Sequence, residues 1–514
     1  MTTPLTADTE PTSGTAPSRP VRVRFAPSPT GDLHVGNIRS GLYSWAYGRH
    51  YGGTFVFRLE DTDRSRVTDE HIHAAADTVR WLGLDWDEGP EVGGPYAPYL
   101  QSERLPIYAE WSQRFLTNGD AYHCYCTPEE LEERREAQRA KGLPPGYDGH
   151  CRELSTEQVA AYEAQGRRPV VRFRMPPGST TFTDMVRGEV TFDHQYVPDF
   201  VLVRGDGMPL YTLAVAVDDV LMGITHIIRG EDLLSSTPRQ IAVYRAMGVP
   251  EDETPEYAHL PMVLGMDGQR LSKRNGVVSI AWYRAEGFLP EAILNYLALL
   301  GWSLGSEDRE DFTLAEMVQA FDGTRINANA ARFDLKKLEA INGDKIRGLP
   351  LGEFVERLTP FLQRVGLVAE PPTPEEARLL AGAAPLIQER VGRLTEAVEM
   401  LEFLLVAEDH FSIEEESAAR SITADSRPIL VAARDALAPL AEAASWGTAD
   451  IEAALRTALV DGLGLKPRNA FGPVRVAATG RRVSPPLFES LELLGSERSL
   501  RRLDAALGRI DASS

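Results

Sequence analysis

The feature that most constrains the fold lies near the start of the chain. Val21 to Phe25 alternates apolar and basic residues and runs into Ala26-Pro27-Ser28-Pro29-Thr30-Gly31-Asp32, a stretch whose prolines and glycine suit a turn. A helical pattern follows from Ile38 to His50. Gly52-Gly53 breaks it, and Thr54 to Leu59 reads as a second apolar strand that ends in the acidic cluster Glu60-Asp61-Thr62-Asp63. Two strands linked through a helix lie parallel, so the pattern predicts a β-loop-α-β unit, the opening of a nucleotide-binding parallel sheet.

With 514 residues the chain is too long for one ordinary core, and several domains are expected. After Glu103 the pattern shifts to polar helices and short strands, including the charged segment Pro128 to Lys141, which reads as an insertion. Strand character returns with Asp199 to Val203 and again with Thr225 to Ile228. Thr237-Pro238 is a helix start, a capping hydroxyl before a proline whose missing N–H costs nothing there, and Gly248 closes that helix. From Ile280 onward the sequence is mostly helical, with long stretches such as Glu353 to Leu367 and Glu376 to Leu405. Ala292 to Trp302, the longest apolar run, is too short and too interrupted to span a bilayer and reads as a buried helix. The first twenty residues lack the basic start and apolar stretch of a signal peptide, so a floppy tail and a cytoplasmic location are expected.

Lys and Arg number 54 against 75 Asp and Glu, a formal charge of -21. That balance argues against indiscriminate nucleic-acid binding, because phosphate contacts draw on basic side chains; a local basic surface for one structured RNA stays compatible with it. The C-terminal cluster Lys466, Arg468, Arg475, Arg481 and Arg482 is a candidate for such a surface. The three cysteines, Cys124, Cys126 and Cys151, lie in one short stretch, which favours a reduced compartment and a metal site over a disulfide framework.

Two elements carry chemistry. Leu33-His34-Val35-Gly36-Asn37 sits between a strand end and a helix start, where backbone N–H groups and the helix dipole attract phosphate. Gly36 permits close approach of a nucleotide, and the His34 imidazole can donate to a phosphate oxygen as charge builds. Far downstream, Arg270-Leu271-Ser272-Lys273-Arg274-Asn275-Gly276 is a basic loop able to meet a triphosphate, with Lys273 as a point charge and Ser272 as a donor. Taken singly, each has a plainer reading: a structural histidine at a turn, and a solvated basic turn.

In this order the pair resembles the HIGH and KMSKS signatures of class I aminoacyl-tRNA synthetases, with Asn37, Arg270, Leu271 and Arg274 departing from the signature letters. Arg24 to Gly31, Arg58 to Asp63, Leu82-Gly83-Leu84, Tyr147-Asp148-Gly149, Val217-Asp218-Asp219, Ile228 to Asp232, Gly287 to Pro290 and Ala470 to Gly480 are similar to glutamyl-tRNA synthetases of bacterial type. The resemblance covers about Val21 to Leu507.

It implies a glutamate–tRNA ligase: ATP, with Mg2+, activates L-glutamate as glutamyl-adenylate, and the glutamyl group passes to the 3′ end of tRNA(Glu). Catalytic roles fall to His34, Ser272 and Lys273. Glutamate binding falls to Arg24, Ala26, Ser28, Glu60, Tyr211 and Arg229. ATP binding falls to His34, Gly36, Asn37, Asp232 and Arg270 through Arg274, that is Arg270, Leu271, Ser272, Lys273 and Arg274. Two arginines and one glutamate complement the two carboxylates and one ammonium of free glutamate charge for charge. Val215 stands where some relatives have an asparagine that contacts the substrate.

In some relatives Cys124, Cys126 and Cys151 correspond to zinc ligands completed by a histidine two residues after the last cysteine. Glu153 occupies that place here, so either His150 or Glu153 is expected as fourth ligand, the alternative being three free thiols. Asp61 and Asp63 read as an acidic turn that caps a helix and pairs with Arg64 or Arg66. The implied architecture is α/β: a Rossmann-type parallel-sheet catalytic domain (21–103 and 212–262) behind a tail (1–20), an inserted α/β domain for the acceptor end (104–211), a helical stem-contact region (263–346) and an all-helical anticodon-binding region (347–514). A monomer is expected. Two other readings are a form that also charges tRNA(Gln) and an inactive tRNA-binding paralogue. A glutaminyl enzyme is disfavoured by Ser28, where that type carries a glutamate, and by the helical C-terminal third.

Overall fold

The computed structural model describes residues 17–63, 67–271, 278–305 and 309–513. The expected opening unit is present as β1 (Arg22–Phe25), α1 (Val35–His50) and β2 (Thr54–Phe57). β1 and β2 run parallel, with Arg22 opposite Thr54 and Phe25 opposite Phe57. At the entry to β2 the backbone passes so close to β1 that a Cβ on Gly53 would stand 2.3 Å from the Val21 carbonyl oxygen. Only glycine fits there. Ile38, Leu42, Tyr43 and Ala46 of α1 are fully buried, so the helix is sunk into the core and holds its N-terminus at a fixed place above the sheet.

Further strands include β3 (Ala121–Cys124), β4 (Val170–Phe173), β5 (Ser179–Asp184), β6 (Gly188–Asp193), β7 (Phe200–Val203), β8 (His226–Gly230) and β9 (Glu256–Leu260). β5, β6, β8 and β9 join β1 and β2 in one sheet of order β2-β1-β8-β9-β5-β6, parallel throughout except for the β5–β6 hairpin. β3, β4 and β7 form a separate antiparallel sheet. The strand at Asp199 to Val203 therefore belongs to the small sheet. The β5–β6 hairpin, within the segment read as an insertion, instead extends the large sheet, with Asp184 opposite Tyr257. A lone hairpin is marginal in water, and the free edge of β9 gives this one a place to pair.

Two local expectations need correction. The helix Thr237–Ala246 forms, but the Thr237 hydroxyl does not cap it; it turns inward to Arg229 and His259. Asp61, fully buried, does not cap the helix that follows it, whose N-cap is Thr68; its carboxylate accepts the Ser102 N–H at 2.8 Å and the Ser102 hydroxyl at 2.5 Å. Arg64 and Arg66 lie outside the described residues.

The chain divides into two compact units, one running to Tyr283 and resuming over Pro290–Leu335, the other made of Arg284–Leu289 and Lys336–Ser514. The apolar run near Ala292 is the buried helix Pro290–Leu299 of the first unit. The second unit is helical. In its helix Leu351–Arg364, Phe354, Leu358 and Leu362 recur every four residues and are all but fully buried, the expected stripe of an amphipathic helix. The stretch Glu376 to Leu405 is two helices rather than one, Pro374–Ile387 and Leu394–Leu405, with Gly392 between them. Buried Asn342 ties this unit together, accepting from the Leu289 N–H at 2.7 Å and donating to the Gly392 carbonyl at 2.6 Å.

Also in the second unit, Arg502 donates from Nη1 to the Ala478 carbonyl at 2.6 Å and from Nη2 to the Phe403 carbonyl at 2.9 Å. It shares Glu408 with Arg498. The basic cluster near Gly480 is only partly free. Arg475 donates to Ser484 and to the Pro485 carbonyl, and Arg481 pairs with Glu399 and Glu402. Lys466, Arg468 and Arg482 are exposed. No described helix is long and apolar enough to cross a membrane.

Candidate active site

A cavity of about 560 Å3 opens where β1, β2 and β8 end and α1 begins. Ligands of parallel sheets collect beyond the carboxyl ends of the strands, and the lining follows that rule. β1 and its exit supply Arg24, Ala26 and Ser28; the exit of β2 supplies Glu60; β8 supplies Arg229; the start of the helix Tyr211–Leu221 supplies Tyr211. All six residues expected around glutamate therefore share one cavity. His34, Gly36, Asn37, Asp232, Arg270 and Leu271 line it as well. Ser272, Lys273 and Arg274 lie outside the described residues. On either side of them, Leu271 and Val278 both line the cavity, and the Val35 N–H donates to the Val278 carbonyl at 3.0 Å.

Beneath the cavity floor lies a network of ionised side chains. Fully buried Arg58 meets Asp219 at 2.9 Å, Glu60 at 3.4 Å and Asp218 at 3.8 Å. Arg24 reaches Asp219 at 3.3 Å, while Asp218 is held by Arg104 at 2.7 Å, Tyr108 at 2.8 Å and Gln101 at 3.0 Å. Burial alone would lower the pKa of Arg58, but Asp219, Asp218 and Glu60 hold it above its ordinary value. Burial likewise works to raise the pKa of Asp219, and Arg24 and Arg58 overcome it and keep that carboxyl low.

Two members of the set are left open. Glu60 is pushed up to about 7, chiefly by burial, with Arg58 and Arg24 offsetting part of the effect. Arg229 has no carboxylate within ion-pair reach among the described residues, and its Nη1 has no hydrogen-bond partner there. A buried cation without a counter-ion and a carboxyl poised between its two forms are the groups that a ligand with a carboxylate and an ammonium would satisfy.

His34 is the N-cap of α1. Its Nδ1 accepts from the Gly36 N–H at 3.1 Å and the Asn37 N–H at 3.2 Å, and the Asn37 side chain accepts from the His34 N–H in return. The plainer structural role is thus present: Nδ1 serves the start of the helix. Asp232 and Arg270 face each other at 3.7 Å on the rim. Val215 is fully buried and takes no part in the lining.

Sequence reasoning missed Arg58, Asp218, Asp219, Asp184, Thr237 and His259 as parts of this site. The signal existed for some of them. Asp218-Asp219 interrupts the apolar helix Tyr211–Leu221, and His259 interrupts the apolar run Tyr257 to Val263; a polar side chain there must find a buried partner.

The three cysteines converge: their sulfur atoms lie within 4.8 Å of one another, with Cys126 and Cys151 3.5 Å apart. Hydrogen bonds from Cys126 and Cys151 pull the Cys124 thiol well below its usual range, while the same contacts push the Cys126 thiol up. Neither expected fourth ligand joins them. Exposed His150 lies 3.3 Å from the Tyr162 hydroxyl, and Glu153, 82% exposed, pairs with Arg174 at 2.7 Å. The Tyr147 hydroxyl does adjoin the group, 3.4 Å from the Cys124 sulfur and accepting the Cys151 N–H at 2.8 Å. The three sulfurs form a partial donor set for Zn2+, and among the described residues no histidine or carboxylate completes it.

The family described as tRNA synthetases class I (E and Q), catalytic domain, matches residues 20–340, and an anticodon binding domain family matches residues 353–507. A glutamate–tRNA ligase of Nocardioides sp. is 56% identical over 491 residues, covering 95% of this chain and 99% of that protein. One from Saccharopolyspora erythraea is 54% identical over 513 residues, covering 99% and 100%. The chain belongs to the glutamate–tRNA ligase family. Among solved structures, a glutamate tRNA ligase from Elizabethkingia meningosepticum in complex with its amino acid superposes with a TM-score of 0.80 at 30% identity, covering 96% of this chain and all of that one. The family's fold therefore extends over both units.

Proposed function

We propose that the chain activates L-glutamate with ATP and transfers the glutamyl group to the 3′ end of tRNA(Glu). The observation that carries this reading is the open charge set on the cavity floor. Arg24 and Arg229 receive the two carboxylates of glutamate and Glu60 its ammonium, with Ala26, Ser28 and Tyr211 completing the pocket. ATP enters as its magnesium complex against the start of α1, where His34, Gly36 and Asn37 offer donors, with Asp232, Arg270 and Leu271 at the rim. Ser272, Lys273 and Arg274 complete the phosphate site. The glutamate α-carboxylate attacks the α-phosphate and pyrophosphate leaves, so the protein has to orient two anions and neutralise the charge that develops between them. A covalent enzyme intermediate is not needed.

Residues 104–211 receive the acceptor end of the tRNA, 263–346 its stem and 347–514 its anticodon. Exposed Lys466, Arg468 and Arg482 are the phosphate contacts of the last region. Zinc is held by Cys124, Cys126 and Cys151, and it braces the insertion without entering the chemistry. Metal analysis should give about one zinc per chain, the content of a single tetrahedral site. Fully active protein without metal would leave the cysteines a packing role only.

Pyrophosphate exchange with glutamate, ATP and tRNA, followed by charging assays on purified tRNA(Glu) and tRNA(Gln), tests the whole reading. Exchange and charging of tRNA(Glu) are expected. Tight tRNA binding without exchange would make the protein a tRNA-binding paralogue, and equal charging of both tRNAs would make it non-discriminating. Lys273→Ala should slow adenylate formation about a hundredfold, the usual loss for one preorganised donor to developing charge.

A further inference from the structure

From the sheet register we infer that Asp184 and His259 form a positioning pair that fixes the Arg229 guanidinium in the cavity wall with Nη1 left without a protein partner among the described residues. The carboxylate selectivity of the site then depends on the tautomer of a histidine that no substrate reaches. This rests on the reading that Arg229 binds a carboxylate of glutamate, and it adds the residues that make Arg229 able to do so.

Arg229 of β8 lies directly opposite His259 of β9, and Asp184, at the end of β5, lies beside Tyr257 of the same strand. Tyr257 and His259 stack with ring centres 5.7 Å apart, so both rings share one face of the sheet. Both members of the pair are buried, Asp184 at 1% and His259 at 0% exposure. Asp184 Oδ1 is committed to the backbone, accepting the N–H groups of Val186 and Arg187, each at 2.9 Å. Its Oδ2 stands 2.6 Å from His259 Nδ1.

A carboxylate can only accept, so the histidine proton sits on Nδ1 and Nε2 presents a lone pair. Arg229 Nε–H donates to that lone pair at 3.0 Å. The Thr237 hydroxyl, 3.2 Å from Nε2, accepts from Arg229 Nη2 at 2.9 Å, and the Leu233 carbonyl accepts from Nη2 at 3.3 Å. Three anchors on Nε and Nη2 fix the plane of the guanidinium. They leave Nη1, buried and without a hydrogen-bond partner among the described residues, as the donor that a ligand carboxylate can claim. In the opposite tautomer two N–H donors would face each other and the guanidinium would have to turn away.

Burial is the main cause that lowers the pKa of His259, and Arg229 and Arg24 add to it against the pull of Asp184. The groups around the ring are thus Asp184 from β5, Arg229 from β8, Tyr257 from β9, Thr237 from the following helix and Arg24 from β1. The neutral ring keeps Arg229 the cation that meets the substrate.

The test measures KM for glutamate and for ATP in the tRNA-dependent exchange reaction. His259→Leu should raise the glutamate KM about tenfold, the scale of one unsatisfied buried donor, and move the ATP KM less than about twofold. His259→Gln, whose carbonyl oxygen can replace Nε2 as acceptor, should return to within about threefold of the parent. Asp184→Asn keeps the Val186 and Arg187 bonds on its oxygen and so turns its NH2 toward the ring, giving up the His259 backbone N–H bond at 3.1 Å; this forces the wrong tautomer and should match His259→Leu. In the Arg229→Ala background His259→Leu should add nothing, since residues acting through one group are not additive.

The pair is overturned if Arg229→Ala raises the glutamate KM while His259→Leu and Asp184→Asn leave it unchanged. Full additivity with Arg229→Ala, or equal effects on both substrates, overturns it too. If Arg229→Ala itself leaves the glutamate KM unchanged, the assignment of Arg229 to the substrate falls first and the pair with it. Where His259→Leu does not fold, the contrast between Asp184→Asn and His259→Gln decides: a raised KM in the first alone supports the pair, and the parent's KM in both overturns it.

Discussion

Arg502 in the helical unit and Arg229 in the sheet unit are buried almost alike, at 2% and 4% exposure, yet their surroundings finish differently. Each nitrogen of Arg502 has an acceptor, Glu408 supplies the counter-charge, and the guanidinium lies 3.5 Å from the centre of the Phe411 ring. Arg229 has neutral acceptors on Nε and Nη2 and, among the described residues, none on Nη1. A closed set of this kind holds helices together. An open set leaves unmet charge in the fold, and that charge is met when a complementary ligand binds.

That contrast can be broken from the strongest member downward. Arg58→Met leaves Asp219, Asp218 and Glu60 without their shared cation and should cost about 4 kcal/mol of folding free energy, measured by urea unfolding. Wild-type stability in that variant would show that the network is neutral overall. Arg502→Met should cost about 3 kcal/mol, because Glu408 loses one of its two cations and the Ala478 and Phe403 carbonyls lose their donor, with the glutamate KM unchanged. A change in that KM would end the separation of roles between the two sets.

Arg229→Ala should act in the opposite sense. It should raise the glutamate KM about thirtyfold and leave the ATP KM within a few-fold, with a smaller loss of stability than Arg58→Met, because it strands only neutral acceptors. Arg24→Ala should weaken glutamate binding as well, but also destabilise, since Asp219 loses a partner at 3.3 Å. Equal unfolding midpoints for the two variants would erase that distinction.

The smallest expected effect is on pH. With Glu60 near 7, its carboxyl is ionised above that value and neutral below it, and only the ionised form matches an ammonium. The glutamate KM at saturating ATP should therefore rise about tenfold from pH 8 to pH 6, as the ionised fraction falls. Glu60→Gln should flatten that slope at a uniformly high KM. A slope that survives the substitution would place the titrating group elsewhere.

Much of this was legible along the chain because it is local. The opening strand, helix and strand follow from alternation, the 3.6-residue period and Gly52-Gly53, and Arg24, Glu60 and Arg229 could be placed at strand ends on that basis. What escaped depends on which strands pair. Asp184 belongs to a hairpin whose docking on β9 no local pattern announces, and His259 acquires its partners only through that register. Beside the cysteines the neighbour is the Tyr147 hydroxyl, which accepts the Cys151 N–H, while His150 and Glu153, the expected fourth ligands, turn to Tyr162 and Arg174. Arg475 and Arg481 looked like phosphate contacts until acceptors nearby and from another helix were found beside them.

The edge hairpin also bears on how the chain can be cut. Residues 104–211 invite excision as a self-contained cassette, but Asp184 travels with them, and so does Tyr211 from the cavity wall. A graft or deletion that joins residue 103 to residue 212 removes β5 and β6 and exposes the flank of β9, a bare edge open to pairing with other chains. A minimal catalytic version of this protein has to retain Ser179–Asp193 and Tyr211, so the modules suggested by the linear sequence are not the modules that can be exchanged.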